Sequence, residues 1–301
     1  MKHTWLASIL AAGLVVGLAP AGSPGAGMPT VGLAISTLNN PFFVDLRDGA
    51  QAEAAKLGIT LVVLDAQNDP AKQASSVEDL IAKKVGAVII NPTDSDAVVP
   101  TVKKLNAAKI PVITVDRAAN GGVVAAHIAS DNVAGGMMAA EAVAKRLKGK
   151  GNVVMLEGIP GSSAARDRGR GFHEGLKKFP GIKIVASQTA DFDRAKGLSV
   201  MENILQAQKK IDAVFAQNDE MALGAVQAIE AAKRQKEMFV VGFDAIPDAL
   251  KAIDAGRMAA TIAQQPKVMG QLAVRAALTL LKGGTVAKFT PVPLRLVTKS
   301  P

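Results

Sequence analysis

The sequence predicts an α/β fold with two lobes, each a doubly wound parallel sheet with helices on both faces. Three observations predict it: the length of 301 residues, the alternation of short apolar runs with longer amphipathic segments, and the restart of that alternation in the second half. At roughly 100–200 residues per domain, this length is enough for two domains. Since 49% of the residues are hydrophobic and 20% are charged, each domain can bury a core, and the composition excludes a disordered or fibrous chain.

A basic start followed by an apolar run predicts an export signal at residues 1–21. Residues 1–3 carry Lys and His, residues 6–19 are largely apolar, and small residues flank a proline at 19–21. The run is shorter than the roughly 20 residues of a membrane-spanning helix, and a Gly/Pro/Ser-rich linker follows at 22–29. We therefore expect cleavage and a periplasmic or other extracytoplasmic location.

Four apolar runs rich in aliphatic and β-branched residues predict the strands of the first sheet. They are residues 31–35, 61–64, 87–90 and 112–115. Asn40 and Asp69 each precede a proline, which is typical of a helix start, and Gly58 predicts the end of the first helix. Two more helices are predicted over residues 96–108 and 131–147.

The same alternation in the second half of the chain predicts a second sheet. Its strands are predicted at residues 153–156, 182–186, 213–216, 239–242 and 260–263. The small-residue loop at 158–163 leads into a helix but contains no phosphate-binding glycine motif, so a nucleotide site is not predicted. We expect Ser162 or Ser163 to cap this helix and one of the next two arginines, Arg166 and Arg168, to face a cleft between the lobes.

The residue types that most often carry catalysis or metals are scarce. The chain has no cysteine, which excludes disulfides, zinc-thiolate sites and a cysteine nucleophile. Outside the predicted signal it has two histidines, His127 and His173, and no metalloprotease or serine-hydrolase motif. We expect no cofactor, no metal and no enzymatic activity.

Polar residues and phenylalanines follow the predicted strands, at the edge where open parallel sheets bind ligands. They are Asn39, Asn40, Phe42, Phe43, Asn91, Asp94, Asp116, Arg117, Gln217, Asn218, Asp219, Asp244, Gln264 and Gln265. Carboxylates and amides pair well with hydroxyl groups, and an aromatic face packs against the apolar side of a sugar ring. A carboxylate or amide at the end of a strand is also a common cap of the next helix, but six strand ends that converge on one edge predict a polyol site.

Individual residues leave alternatives open. The two adjacent phenylalanines at the first helix start are also typical of a core, whereas Phe192 stands between two acids. Asp116 and Asp244 could act as a carboxylate pair in glycoside hydrolysis. Because Arg117 follows Asp116, we expect that acid to stay ionised, which suits hydrogen bonding better than proton donation.

Six blocks of sequence together are similar to one known family. They are residues 36–43 (STLNNPFF), 90–97 (INPTDSDA), 111–117 (PVITVDR), 127–132 (HIASDN), 215–224 (FAQNDEMALG) and 241–244 (VGFD). These blocks closely resemble the ribose-binding proteins of bacterial ABC transporters, which are periplasmic binding proteins of type 1. The likeness runs from about residue 30 to the C-terminus, nearly without gaps.

The resemblance implies a set of ligand-binding residues. Phe43 and Phe192 would sandwich a sugar ring and Phe42 would line it. Hydrogen bonds to the sugar are implied for Asn40, Asn91, Asp116, Arg117, Arg168, Asn218, Asp244 and Gln264. The family commonly has Gly-Thr after the Phe-Asp pair, whereas Ala245 and Ile246 follow it here, so the shape of this loop is not implied.

The resemblance also implies the arrangement of the lobes. The chain would cross between them near Ser130, Gln264 and Pro291, and these three segments would form a hinge. The N-terminal lobe would then contain residues 28–130 and 264–290, and the C-terminal lobe residues 131–263 and 291–301. The implied function is capture of D-ribose or a closely related monosaccharide by a monomer, hinge closure, and delivery to a membrane ABC permease, with a chemoreceptor left open as a second partner.

Other functions remain as alternatives. The ligand could be allose, another pentose or a furanosyl quorum signal. A sugar-responsive repressor core would carry a helix-turn-helix domain of about 60 residues before the core, but 29 residues precede Thr30. We therefore expect no nucleic acid partner, and we interpret the net charge of +9 as a lysine-covered surface. A secreted sugar hydrolase is the third alternative.

Overall fold

The chain folds into two α/β lobes. The structure, a computed structural model, describes residues 28–299. The predicted signal at 1–21 and most of the predicted linker at 22–29 lie outside the described residues. Among those that are described, no helix combines the length and the apolar character that crossing a membrane requires.

The helices and strands alternate along the chain. The first half contains β1 (Thr30–Ile35), α1 (Pro41–Leu57), β2 (Thr60–Asp65), α2 (Pro70–Ala82), β3 (Ala87–Ile90), α3 (Val99–Ala107), β4 (Val112–Val115), β5 (Ala126–Ala129) and α4 (Asn132–Arg146). The second half contains β6 (Lys150–Glu157), α5 (Ser163–Leu176), β7 (Gly181–Thr189), α6 (Arg194–Ala207), β8 (Ala213–Ala216), α7 (Asp219–Ala231), β9 (Phe239–Asp244), α8 (Pro247–Asp254), β10 (Ala260–Ala263), α9 (Pro266–Leu281), β11 (Phe289–Pro291) and β12 (Arg295–Thr298).

Each lobe is built on one six-stranded sheet. The first sheet has the order β11-β5-β4-β3-β1-β2, and all its pairs are parallel. The second has the order β12-β10-β9-β8-β6-β7 and is parallel except for the antiparallel edge strand β12. In the first sheet β1 lies between β2 and β3, and in the second sheet β6 lies between β7 and β8. Because the chain runs in opposite directions across the sheet on the two sides of β1 and of β6, a crevice opens there at the carboxyl ends of the strands.

The chain passes between the two sheets three times. It leaves the first sheet after β5, returns to it after β10 and leaves it again after β11. Strand β11 extends to Pro291, one residue past the end expected for the N-terminal lobe.

Several predicted ends agree with the structure. Strands β3, β4, β8 and β10 have the predicted bounds. Asn40 caps α1 by accepting a hydrogen bond from the amide of Phe42 at 2.9 Å, and Gly58 ends that helix with a φ of 67°. Asp69 caps α2 in the same way.

Other predicted ends were wrong. Helix α3 begins at Val99 rather than residue 96, because the Asp94 carboxylate accepts from the amides of Asp96 and Ala97 and holds a turn there. The short strands β5, β11 and β12 were not predicted. Their sequences include polar or exposed residues and lack the apolar run that marked the inner strands.

Three helix pairs pack with their backbones in contact at glycines: α1 with α9, α4 with α5, and α6 with α7. A Cβ on Gly136 of α4 would lie 2.2 Å from the carbonyl oxygen of Arg168 on α5. A Cβ on Gly270 of α9 would lie 2.1 Å from that of Leu46 on α1. These distances exclude larger residues at the crossings.

Candidate functional site

A small, narrow cavity lies between the carboxyl ends of the two sheets. Its lining residues are Asn40, Phe42, Phe43, Asp116, Arg117, Ala164, Arg168, Phe192, Asn218, Asp244 and Gln264. Apart from Asn91, the structure therefore brings together every residue that the family resemblance implied for ligand binding. Five other residues of the strand-end prediction do not line this cavity: Asn39, Asp94, Gln217, Asp219 and Gln265. The space left open inside the cavity, about 10 Å³, is far below the roughly 300–1,000 Å³ typical of drug-sized ligands, so the lining side chains lie close together in this structure.

Two aromatic side chains face the same guanidinium from opposite lobes. The Cζ atom of Arg117 lies 5.1 Å from the ring centroid of Phe43 and 5.4 Å from that of Phe192. Phe42 packs edge-on against Phe43, with centroids 5.2 Å apart. The Asn40 cap places both of these phenylalanines in the first turn of α1, so helix capping and the aromatic wall depend on the same residue.

Asp116 and Arg117 follow β4 and are both buried. Asp116 has a φ of 62°, and its amide donates to the carbonyl of Ile128 at 2.8 Å. Asn91 lies behind Asp116 rather than on the cavity wall, and its Nδ2 donates to Asp116 Oδ2 at 3.4 Å and to the Val115 carbonyl at 3.1 Å. Its position indicates support for Asp116.

The opposite wall is organised around Arg168. Its Nε donates to Oδ1 of Asn132 at 2.9 Å, and its Nη1 donates to the carbonyl of Gln217 at 2.7 Å. The same guanidinium lies 3.9 Å from the ring centroid of Phe243, and its Nη1 is 3.8 Å from Oδ1 of Asp244. These contacts fix the direction in which Arg168 faces the cavity.

Amide side chains complete this wall. Gln264 donates from Nε2 to Oδ1 of Asp244 at 2.8 Å. Asn218 caps α7 through Oδ1 and donates from Nδ2 to the carbonyl of Phe192 at 3.1 Å. The residue that caps α7 therefore also anchors the backbone of the aromatic wall.

Burial dominates the electrostatics of the four charged side chains. It raises the pKa of Asp244 to about 7 and lowers the pKa of Arg117 to about 10. Burial also raises the pKa of Asp116, although Arg117 and Arg168 oppose the shift. Arg117 acts on Asp116 in the expected direction, but the sequence does not reveal how completely the carboxyl group is removed from water.

Three buried polar atoms at this cavity lack a hydrogen-bond partner among the described residues. They are Oδ1 of Asp116, Nε of Arg117 and Oε1 of Gln264. Buried polar atoms are nearly always paired in folded proteins. This set of two acceptors and one donor matches a ligand that can both donate and accept, as a hydroxyl group does.

The lobes also touch each other beside the cavity, in an interlobe contact formed by Ser95, Ala118, Gly161 and Ser163. The Ser95 amide donates to the Gly161 carbonyl at 3.0 Å, and the Ser163 amide donates to Oγ of Ser95 at 3.1 Å. The Ala118 amide donates to Oγ of Ser163 at 2.9 Å. The predicted serine cap was therefore wrong in its bonding: Ser162 occupies the cap position without a cap hydrogen bond, and the Ser163 hydroxyl bonds to the other lobe.

Within residues 28–299, a second depression lacks this convergence. The surface depression beside Phe239 and Met258 is larger, but the polar side chains that line it are not buried, and Arg257 there is paired with Glu230. Within residues 28–299 no group of three potential metal ligands occurs. His127 bonds to the Thr114 hydroxyl and stacks on Phe289, which is consistent with a structural role.

Two residues at the site could not be identified from the sequence. Ala164 lines the cavity, but an alanine at a helix start has no polar or aromatic group that would indicate a ligand contact. Asn132 holds Arg168, although it could be seen only as the residue after the cap of α4. Both are placed by the approach of α4 to α5.

The fold and cavity define a class: a two-lobed protein that encloses a small polar ligand between its lobes. The chain belongs to the family described as periplasmic binding protein domain, whose model matches residues 31–285.

Named relatives cover nearly the whole chain. It is 54% identical over 270 residues to the ribose import binding protein of Salmonella typhimurium, covering 90% of each chain. It is 50% identical over 290 residues to that of Haemophilus influenzae, covering 96% of this chain and 98% of the relative. The crystal structure of the Caulobacter myo-inositol binding protein bound to myo-inositol superimposes with a TM-score of 0.86 at 39% identity, covering 94% of this chain and 96% of that one.

Proposed function

We propose that this protein binds D-ribose, or a closely related monosaccharide, in the interlobe cavity and delivers it to an ABC permease. The observation that carries the proposal is the set of converging groups in a small cavity: two carboxylates, two guanidiniums and three amides beside Phe43 and Phe192. Neutral polyols pair with such groups through each hydroxyl. The relatives named for ribose import, at 50–54% identity, support ribose as the sugar.

In this proposal Phe43 and Phe192 hold the two faces of the sugar ring, and Phe42 supports Phe43. The hydroxyl and ring oxygen atoms bond to the polar residues of the lining, with Asn91 holding Asp116 from behind. The cation–π distances to Arg117 support this arrangement, because they bring both rings to the same point of the cavity.

We further propose that the three crossings between the sheets act as a hinge, with the lobes divided near residues 130, 264 and 291. Sugar contacts from both lobes exist together only when the cleft is closed, so the ligand shifts the population toward the closed form. The binding protein would meet the membrane permease outside the cytoplasm, and the permease would recognise the closed form. A monomer suffices, since one chain supplies every lining residue.

The proposal is tested by titration calorimetry of the mature, sugar-stripped protein with D-ribose, allose, xylose, arabinose and galactose. Calorimetry is suited to this chain because its one Trp is Trp5, within the predicted signal, and it has no Tyr. We expect one-to-one binding of ribose and weak or no response to the others. Binding of another sugar alone would replace ribose as the ligand, no heat with any sugar would overturn the proposal, and product formation from glycosides would indicate a hydrolase.

A further inference from the structure

The turn that carries Asp244 has an unusual backbone. Asp244 and Ala245 have consecutive positive φ values, 127° and 64°. Residues with a Cβ rarely adopt this region, and they remain in it only where surrounding contacts hold them. Because Asp244 lines the cavity, whatever holds this turn also sets the position of its carboxylate.

Asp219 and Thr261 make the contacts that hold the turn. The Thr261 hydroxyl donates to Oδ1 of Asp219 at 2.7 Å and accepts from the Ala245 amide at 3.3 Å. The Ile246 amide donates to Oδ2 of Asp219 at 3.0 Å. Two successive amides after Asp244 are thus bound by one side-chain pair.

This pair lies outside the cavity. Asp219 and Thr261 are both fully buried, and neither lines the cavity. A Cβ on Gly242 would lie 2.1 Å from Oδ1 of Asp219, so the glycine leaves the space that the carboxylate occupies. A strand thus leaves room for this buried carboxylate, although the carboxylate does not line the cavity and has no role in the binding function described so far.

The surroundings of Asp219 suit a hydrogen-bond acceptor. It is the first residue of α7, where the helix N-terminus favours negative charge. Burial and the Asp244 carboxyl raise its pKa well above the ordinary value, whereas the bonds from Thr261 and the turn amides lower it. The Thr261 hydroxyl and the Ile246 amide can each donate to a carboxylate, which accepts at both oxygens.

We propose that Asp219 and Thr261 are positioning residues that hold the Asp244–Ala245 turn and so aim the Asp244 carboxylate at Arg168, Gln264 and the sugar. The inference rests on the proposed function, since it assigns Asp244 to the ligand. It predicts a specific compensation. Glycine adopts positive φ without the Cβ penalty, so Ala245→Gly makes the turn less dependent on the pair.

The test compares Thr261→Val, Asp219→Asn and Ala245→Gly, alone and as the Thr261→Val/Ala245→Gly double variant. Wild-type titration with the five sugars is done first and decides the proposed function; the variants are then titrated with the sugar that the wild type binds. We expect Thr261→Val and Asp219→Asn to weaken affinity at least about tenfold, Ala245→Gly to bind like the wild type, and the double variant to recover most of the loss. Thr101→Val, a buried threonine in α3, is the matched control and should bind normally.

A second measurement does not depend on any ligand. Hydrogen exchange of the Ala245 and Ile246 amides, followed by NMR, should speed up at least about tenfold in Thr261→Val relative to other buried amides. This readout also serves if Asp219→Asn fails to fold. Wild-type affinity in folded Thr261→Val, or a loss that Ala245→Gly does not reduce, would overturn the inference, as would unchanged exchange of both amides.

Discussion

The site depends on charged side chains that are buried in opposite-sign pairs. Asp116 lies beside Arg117, and Asp244 lies beside Arg168, each pair with an N–O distance of 3.8 Å. At that distance the pairs are too long for direct hydrogen bonds, so each group keeps bonding capacity for a ligand. A sugar that lacks one hydroxyl would leave a buried charged group unpaired, at a cost of about 1–3 kcal/mol or more.

At this scale we predict that Asp116→Ala weakens ribose binding at least about tenfold while the protein stays folded, because the variant removes an acceptor with one unpaired oxygen. Titration calorimetry gives the affinity and circular dichroism checks the fold. Asp79→Ala, which changes an exposed aspartate of α2 outside the cavity, is the control. Wild-type affinity in folded Asp116→Ala would contradict the assignment of this residue.

Most site residues could be predicted because they follow strands of an open parallel sheet. Asp116, Asn218 and Asp244 are examples, since the sheet edge alone brings them together. Asn91 follows a strand too, yet it lies behind Asp116, a difference in depth that sequence position does not encode. The support of the Asp244 turn by Thr261 was also invisible, because it depends on side chains from two elements that meet only in the folded lobe.

At the scale of elements, the glycine crossings couple helix packing to the site. Gly136 lets α4 approach α5 so closely that no side chain fits between Gly136 and the backbone carbonyl of Arg168. Asn132, at the start of α4, accepts a hydrogen bond from the side chain of the same arginine. The inner strands, both ends of α1 and the start of α2 were predictable from local patterns. The helix pairing was not, since it depends on which glycines face each other.

We therefore predict that Gly136→Ala destabilises the protein by about 1–3 kcal/mol through overpacking and also weakens ribose binding, because the displaced backbone carries Arg168. Thermal unfolding followed by circular dichroism gives the first effect, and calorimetric titration gives the second. Glu141→Ala, on the exposed face of the same helix, should change stability by less than about 0.5 kcal/mol. A Gly136→Ala protein as stable as that control would show that α4 and α5 can separate without cost.

At the scale of the whole molecule, the cavity exists only where two lobes meet. The N-terminal lobe supplies Phe43 and Asp116, and the C-terminal lobe supplies Arg168 and Asp244. Beside the cavity the interlobe contact joins the lobes through backbone and serine groups. A ligand that bonds to both lobes adds further hydrogen bonds between them, and so stabilises the native state of both lobes against unfolding.

The corresponding prediction is that ribose at about 100 times its Kd stabilises the native protein by about 2.7 kcal/mol and raises Tm by roughly 5–10 °C. Differential scanning calorimetry at increasing ribose concentrations measures the shift. The Asp116→Ala variant should show a smaller shift at the same concentrations. A Tm that does not respond to ribose in the wild type would contradict two-lobe binding.

The three passages of the chain between the sheets have a consequence for biosynthesis. The first sheet receives its edge strand β11 at residues 289–291, and the second receives β12 at residues 295–298. Neither lobe therefore has its full set of strands until residues 289–298 have been synthesised. Domains made from a continuous segment can fold one after the other during synthesis, whereas here both lobes are completed nearly at once and late. Such an order leaves the cores of both lobes incomplete until these two edge strands have been made.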